Sequence, residues 1–303
     1  MINNLAVIIV TYNRKDLLLE NLRMTLSQTL NIDKVIIVDN HGEDNTKEYL
    51  MKNKVDFSKI IYLYLKDNIG GAGGFYTGLK YAYEKGYKWF ILMDDDGKPI
   101  NSETFKNMSD YIERKNNLWS DKIFYNSLVI DGKKLSFALK GTNIINNLKS
   151  YEIDGIINNE VNPFNASLIS RGLIDEIGFP NKDFFIKGDE VDYMKRALNA
   201  KAKVATIMDS LYFHPSIRGI KQKKFLNKTF LIYVEAPWKE YYSIRNAVFS
   251  NTMLGNKKES LKILLKKILY VFMYKCDKKE TVKMIVKGYR DGKKGKLGAV
   301  IKP

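Results

Sequence analysis

Three consecutive aspartates, Asp94, Asp95 and Asp96, follow the apolar segment 89–93, and no lysine or arginine separates them from it. Adjacent carboxylates repel one another unless a cation compensates their charge. In an extended backbone Asp94 and Asp96 point to the same side, where their oxygens can bind one hard divalent ion such as Mn²⁺ or Mg²⁺. A solvated acidic turn is the alternative, and the position at a strand end favours the metal site.

The aspartates end one strand in a regular alternation of strands and helices. Fully apolar strands separated by helices predict a parallel sheet covered on both faces, and such sheets bind ligands beyond the carboxyl ends of their strands. Three of these ends carry polar groups, at 11–14, 39–40 and 94–96. The predicted strands span 6–10, 34–39, 60–65, 89–93, 123–130 and 203–207, and the predicted helices span 15–28, 46–52, 74–85 and 190–199.

A glycine-rich stretch at 66–75, KDNIGGAGGF, leads into one of these helices. Glycines allow backbone amides to approach an anion, and a helix N-terminus favours phosphate. The stretch does not fit the dinucleotide fingerprint, which belongs after the first strand, and it lacks the lysine-serine pair of a P-loop. We therefore predict a phosphate-binding loop, with a flexible entry to the helix as the alternative.

A second acidic cluster, GDEVDY at 188–193, lies at the start of the helix predicted at 190–199. A carboxylate at this position could take the proton of an acceptor hydroxyl as a general base. The alternative is helix capping, with Asp189 at the N-cap and Asp192 three positions later. Both roles can hold, since the cap would fix the orientation of Glu190.

The chain has two histidines, His41 and His214. His214 follows a short strand, and its imidazole nitrogen would complete a metal site begun by two aspartates. From the sequence pattern by itself, a structural histidine is the favoured interpretation. The sequence shows neither a nucleophilic Ser/His/Asp spacing nor a Cys/His zinc pattern.

The single cysteine and the hydropathy pattern predict a cytoplasmic protein. Cys276 has no second cysteine with which to form an intramolecular disulfide, which fits a reducing compartment. The first apolar run lacks a preceding basic leader and is too short for a secretory signal. No stretch approaches the roughly 20 apolar residues of a spanning helix.

The net charge of +16 is concentrated in the lysine-rich segment 255–302. Within it, 261–274 is predicted to form a helix with one apolar stripe and with its lysines mostly off that stripe. This composition is typical of an amphipathic helix that lies on an anionic membrane surface, and a basic helix packed on its own protein is the alternative. No nucleic-acid partner is expected, because three carboxylates at a strand end repel phosphate. The predicted stripe consists of Leu261, Leu264, Leu265, Ile268 and Phe272.

Seven motifs occur in order between residues 7 and 246: VIIVTYNR, VIIVDN, DNIGGAGGF, MDDD, KGDEVDY, HPSIRG and KEYYSIRN. Together they resemble the family 2 glycosyltransferases with a GT-A fold, and within that family the galactofuranosyltransferases. The resemblance implies an α/β fold, with a Rossmann-like, mostly parallel sheet in a catalytic domain over 1–220. The lysine-rich composition predicts a basic helical region over 221–303 that could attach to a membrane surface.

The resemblance further implies a role for each matching residue. Mn²⁺ or Mg²⁺ is expected on Asp94 and Asp96, with His214 as the third ligand. The catalytic base falls on Asp189 or Glu190; Glu190 is favoured, although relatives usually carry aspartate at this second position. The nucleotide sugar is expected to lie along Thr11, Arg14, Asp39 (on the uracil), Asn68, Gly70, Gly71 and Asp95, and Trp238 is the candidate for the acceptor site.

The implied reaction is one inverting displacement at the anomeric carbon, without a covalent intermediate. The implied donor is UDP-galactofuranose, and the implied acceptor is a glycan or a lipid-linked oligosaccharide in surface polysaccharide synthesis. The protein is then expected to be cytoplasmic and peripheral on the inner face of the plasma membrane. A rhamnosyl- or hexopyranosyltransferase of the same fold is one alternative. A sugar-phosphate nucleotidyltransferase is another, although the chain lacks an N-terminal glycine-rich, basic loop for a triphosphate.

Overall fold

A computed structural model describes residues 2–114, 122–162, 164–216, 220–225, 228–233, 235–274 and 277–301. The chain divides into two compact units. The first unit contains Met1–Pro180 and Tyr193–Ser216, and the second contains Asn181–Asp192 and Ile217–Pro303. The division after residue 216 lies close to the domain boundary predicted after residue 220. The sequence pattern did not predict that Asn181–Asp192 belongs with the C-terminal unit.

The first unit is built on a sheet in the order β3-β2-β1-β4-β11-β6-β12-β10-β9, with β5, β7 and β8 at its margins. Strands β1 to β4 are parallel, β11 runs antiparallel to both β4 and β6, and β12 is parallel to β6. The predicted α/β fold with a mostly parallel sheet is confirmed. The strands are β1 (Leu5–Thr11), β2 (Lys34–Asp39), β3 (Ile60–Tyr64), β4 (Trp89–Asp94), β5 (Lys98–Pro99), β6 (Ile123–Asp131), β7 (Lys134–Leu139), β8 (Thr142–Ile144), β9 (Glu152–Ile153), β10 (Ile156–Asn158), β11 (Asn165–Ser170) and β12 (Lys203–Phe213).

Helices cover both faces of the parallel strands. Along β1, Val7 and Ile9 belong to one buried apolar cluster, whereas Ala6 and Ile8 belong to another. Burial on both faces explains why the strands are apolar throughout instead of alternating with polar residues. The helices are α1 (Lys15–Leu26), α2 (Thr46–Lys52), α3 (Gly70–Glu84), α4 (Thr104–Arg114), α5 (Arg171–Ile177) and α6 (Asp189–Asn199).

Helix α3 begins at Gly70, four residues before its predicted start, so the prediction of a loop over these glycines is wrong. The glycines allow α3 to approach the sheet closely. A Cβ added at Gly74 would lie 2.6 Å from Cγ1 of Val10, and one at Gly78 would lie 2.5 Å from Cγ2 of Ile8. Both distances are below van der Waals contact, so helix–strand packing accounts for these two glycines.

The second unit combines a β-hairpin with three helices. The hairpin pairs β13 (Ile220–Phe225) with β14 (Lys228–Tyr233) and precedes the predicted C-terminal helices, which are confirmed. Helices α7 (Pro237–Met253), α8 (Lys257–Tyr274) and α9 (Lys278–Lys293) follow. Their apolar core contains Ile244, Val248, Val271 and Ile285.

The apolar side chains of α8 face two directions, not the one predicted. Leu264 and Ile268 pack against the core of the second unit, because the helical rotation turns them toward α7 and α9. Four other side chains form an exposed stripe on the opposite side. They are Leu261, Leu265, Leu269 and Phe272, which are 50%, 59%, 57% and 58% exposed. In the described parts of the chain, no helix is both long and apolar enough to cross a membrane.

Candidate active site

The polar ends of three parallel strands meet at one edge of the sheet. Thr11 at the end of β1 is in register with Asp39 at the end of β2, and Val10 is in register with Asp94 at the end of β4. This arrangement confirms the sequence-based expectation that these ends would lie together. Asp95 and Asp96 continue from β4 beyond the edge of the sheet.

Asp95 binds the turn that follows β1. Its carboxylate accepts hydrogen bonds from Thr11 Oγ1 at 2.8 Å and from the backbone N–H of Tyr12 at 3.4 Å. Arg14 Nη1 lies 3.2 Å from Asp95 and 2.7 Å from Asp96, so the fold supplies a cation that no neighbouring residue in the sequence provides. Burial raises the pKa of Asp95 to about 6, although Arg14 and Thr11 both favour its charged form.

Asp94, Asp96 and His214 form a candidate metal site. Each offers one ligand atom, and these atoms all lie within 4.8 Å of one another. His214 Nε2 is 3.1 Å from Asp96 Oδ1, while its Nδ1 is 2.8 Å from the carbonyl oxygen of Pro215. A proton on Nδ1 donated to this carbonyl leaves the Nε2 lone pair for a metal, as is usual for ligating histidines. Two carboxylates and one imidazole suit Mn²⁺ or Mg²⁺.

Asp96 and His214 each stabilise the charged form of the other. Burial raises the pKa of Asp96, but the hydrogen bond and the charge of His214 more than offset it, so the net pKa is lowered. Burial lowers the pKa of His214, but Asp96 and then Asp94 outweigh it, so the net pKa lies above 6.5. Protonation of Nε2 would compete with metal binding, because a metal ion needs the lone pair of this nitrogen.

Asp39 lies in a buried, hydrogen-bonded position at the end of β2. Its Oδ1 accepts from the backbone N–H of Gly42 at 2.7 Å, and its Oδ2 accepts from the hydroxyl of Tyr62. Burial is the main cause that raises the pKa of Asp39 above its ordinary value. Each carboxylate oxygen keeps a second lone pair beyond these two hydrogen bonds.

Asn68, Gly70 and Gly71 lie at the N-terminus of α3. Asn68 Oδ1 accepts from the backbone N–H of Gly70 at 2.9 Å and from Nδ2 of Asn40 at 3.1 Å. Among the residues that the structure describes, nothing lies within 4 Å of a Cβ added at Gly71. Gly71 therefore borders open space at a helix end that favours anions.

Sequence reasoning missed two buried side chains near the aspartates, Asn21 and Tyr212, and Asn21 bonds to one of the aspartates. Asn21 Nδ2 donates to the carbonyl oxygen of Asp94 at 3.0 Å, and Asn21 Oδ1 accepts from Thr25. The ring of Tyr212 is fully buried, and a Cβ added at Gly97 would lie 2.4 Å from it. The signal for Asn21 was present in the sequence, because it is a polar residue among the leucines of the buried face of α1.

Asp189, Glu190 and Trp238 belong to the second unit. Helix α6 begins at Asp189, so this residue lies in the first turn and not at the N-cap position that the sequence suggested. Asp189 is 5% exposed, and Glu190 is only partly buried. Trp238 packs edge-on against Tyr242, with a distance of 6.3 Å between ring centroids.

Comparisons with known proteins indicate the family of the chain. Residues 6–178 match the profile of the family described as Glycosyl transferase family 2. The chain is 26% identical over 265 residues to a protein named galactofuranosyltransferase GlfT1 from Mycobacterium tuberculosis. This alignment covers 85% of each chain. It is 26% identical over 217 residues to GlfT1 from Mycolicibacterium smegmatis, which covers 69% of this chain and 70% of the relative.

Solved structures share the fold at low sequence identity. The S. aureus TarS 1–349 structure aligns with a TM-score of 0.58 at 14% identity, over 95% of this chain and 80% of that one. The mannosyltransferase PcManGT from Pyrobaculum calidifontis, in complex with GDP-Man and Mn²⁺, aligns with a TM-score of 0.60 at 12% identity. That alignment covers 97% of this chain and 88% of PcManGT.

Proposed function

The chain belongs to glycosyl transferase family 2 and is a nucleotide-sugar-dependent glycosyltransferase, and we propose that it transfers galactofuranose from UDP-galactofuranose. The choice of sugar is supported by the names of the GlfT1 relatives, which align over most of this chain. The observation that carries the proposal is the convergence of Asp94, Asp95 and Asp96 with Thr11 and Arg14 at one sheet edge.

The nucleotide sugar would lie along this edge of the first unit. Asp39 would accept a hydrogen bond from the uracil through a remaining lone pair, and Thr11, Arg14 and Asp95 would border the nucleotide. The diphosphate would lie at the N-terminus of α3, near Asn68, Gly70 and Gly71, where the helix dipole favours negative charge.

Asp94, Asp96 and His214 would hold a divalent ion, Mn²⁺ or Mg²⁺. The fit rests on the spacing of the three ligand atoms and on the backbone carbonyl that orients His214. Solved structures of the same fold, PcManGT and GalNAc-T7, were determined with Mn²⁺. When bound, such an ion supplies Lewis-acid stabilisation of the departing diphosphate. Arg14, which pairs with Asp96, would be freed to contact the donor phosphates.

Glu190 would act as the general base of an inverting displacement. It would take the proton of the acceptor hydroxyl while that oxygen forms a bond to the anomeric carbon and the bond from this carbon to UDP breaks. Glu190 is preferred to Asp189 because Asp189 is buried, whereas Glu190 is partly accessible. Trp238 would contact the acceptor sugar, as aromatic rings commonly pack against sugar rings.

The acceptor would be a glycan or a lipid-linked oligosaccharide, and α8 would attach the protein to an anionic bilayer on the cytoplasmic side. The exposed stripe of α8 (Leu261, Leu265, Leu269 and Phe272) would enter the boundary between headgroups and acyl chains. Lys258, Lys262 and Lys266 are exposed beside it at helical spacing. From residue 257 to the C-terminus, fifteen lysines and arginines stand against four carboxylates, so the charge complements anionic lipid.

A donor panel tests the assignment. The purified protein is incubated with Mn²⁺, a lipid-linked acceptor and each of UDP-galactofuranose, UDP-galactopyranose, UDP-GlcNAc and dTDP-rhamnose, and the release of nucleoside diphosphate is measured. Turnover should be highest with UDP-galactofuranose. Preferred turnover of another donor would refute the assigned sugar but not the assignment as a glycosyltransferase. Release of pyrophosphate from a nucleoside triphosphate would refute the assignment as a glycosyltransferase.

A further inference from the structure

The turn that precedes Asp189 has an unusual backbone. Phe185 has φ 64° and ψ −70°, and the backbone N–H of Ile186 donates to the carbonyl oxygen of Phe184 at 2.8 Å, which defines a γ-turn of the rare, strained kind. Lys187 and Gly188 follow with φ of 67° and 85°. Such conformations persist only where the surrounding structure holds them, and they concentrate at functional sites.

The side-chain amide of Asn246, on α7, holds this turn. Its Nδ2 lies within hydrogen-bond distance of three carbonyl oxygens, those of Phe184 at 3.1 Å, Ile186 at 2.9 Å and Lys187 at 2.6 Å, so at least one of its two hydrogens is shared. Asn246 is fully buried. One amide group therefore binds most of the carbonyl groups of the strained segment, and it does so where water is excluded.

Arg245 fixes the orientation of this amide and adds bonds of its own. Its Nε donates to Asn246 Oδ1 at 2.8 Å, which turns the Nδ2 group of Asn246 toward the turn. Its Nη2 donates to the carbonyl oxygen of Phe184 at 2.8 Å, and its Nη1 donates to that of Gly298 at 2.6 Å. The guanidinium is buried and stacks 4.7 Å from the ring centroid of Tyr242.

We propose that Asn246, oriented by Arg245, is a positioning residue for catalysis: it fixes the 184–188 turn and through it the carboxylate of Glu190. This inference rests on the proposed role of Glu190 as the general base. It gives a function to the Arg-Asn pair that ends the KEYYSIRN motif, which lies on α7 far along the chain from the acidic cluster. Neither side chain is expected to touch the substrate.

Replacing Asn246 with alanine tests the inference. Loss of the three bonds should lower kcat by roughly 10-fold to 100-fold, because small misplacements of catalytic groups have effects of this size. The KM for UDP-galactofuranose should change less than about twofold, because its proposed contacts lie in the first unit. Backbone amides at 184–190 should exchange hydrogen faster in mass-spectrometric measurements, while those of β1 and β4 should not.

Asn251→Ala is the matched control, because Asn251 is another buried asparagine of α7. It should leave both kcat and the exchange of 184–190 near the wild-type values. If Asn246→Ala does not fold, Asn246→Ser, which keeps a shorter donor, is measured in the same way. Wild-type kcat together with unchanged exchange at 184–190 in a folded Asn246 variant would overturn the inference.

A double-mutant cycle with Glu190→Gln separates this inference from the proposed function. If Asn246 acts through Glu190, Asn246→Ala should cost little further activity in the Glu190→Gln background, whereas an independent structural role would lower activity by the same factor in both backgrounds. Additive losses would therefore refute the positioning role. Full activity of Glu190→Gln would instead refute the assigned base, whatever the Asn246 variants do.

Discussion

Alanine substitutions at Gly71 and Gly74 distinguish a glycine that leaves space for a ligand from a glycine that allows the helix to pack closely on the sheet. Gly71 lies in the first turn of α3, and within the described residues nothing is within 4 Å of an added Cβ. Gly74 lies one turn later, where an added Cβ would be 2.6 Å from Val10 Cγ1. The same chemical change should therefore have opposite effects on the free energy of unfolding.

The magnitudes follow from helix propensity and packing. Alanine is more favourable than glycine in a helix by up to about 1 kcal/mol, so Gly71→Ala should raise the melting temperature by roughly 2–4 °C at most. Gly74→Ala should lower the free energy of unfolding by about 1–3 kcal/mol, because the new methyl group must displace Val10 or move α3 away from β1. Chemical denaturation followed by circular dichroism measures both changes.

The effect of Gly71→Ala on the donor should be unfavourable despite the gain in stability. If the diphosphate approaches the backbone at the N-terminus of α3, the methyl group occupies part of that space. We expect the KM for UDP-galactofuranose, or the Kd for UDP with Mn²⁺ measured by calorimetry, to rise about tenfold, which corresponds to about 1.4 kcal/mol. A stabilised Gly71→Ala protein with wild-type affinity for UDP would refute the placement of the diphosphate at this helix end.

Three further predictions concern the metal and the membrane. Asp96→Asn should lower turnover by roughly 100-fold or more while the circular dichroism spectrum is unchanged, and full wild-type activity in EDTA would contradict the metal role. Mn²⁺ should raise the melting temperature only slightly at low pH, because a protonated imidazole cannot bind metal. This increase should become larger as the pH rises through the pKa of His214, which lies above 6.5. An increase that does not depend on pH would exclude His214 as a ligand. The double variant Leu265→Glu and Leu269→Glu should no longer co-sediment with vesicles that contain phosphatidylglycerol. The control variant Ile144→Glu and Ile153→Glu, at exposed positions of the first unit, should still co-sediment. Wild-type protein that does not co-sediment with these vesicles would indicate a protein partner for the stripe.

Local sequence patterns determined the elements and the location of the site. The four apolar segments form β1 to β4, because strands that are buried on both faces need uninterrupted apolar residues. This pattern involves only neighbouring residues and can therefore be recognised in the sequence. The polar residues that end three of these runs meet at one edge because parallel strands place their carboxyl ends together. The sequence pattern therefore suffices to place the three aspartates in a candidate site.

Tertiary structure decided the partners of those residues, because contacts between distant segments leave no local pattern. The pairing of Arg14 with Asp96 follows from a chain crossover that the sequence does not display. The position of His214 beside the same carboxylate was implied by the family resemblance and not by a local pattern. The glycines at 70–74 looked like a loop because glycine favours loops locally, and only the distance to β1 shows that Gly74 serves packing. Likewise, the side of α8 that stays exposed depends on where α7 and α9 lie, which no periodicity within α8 can specify.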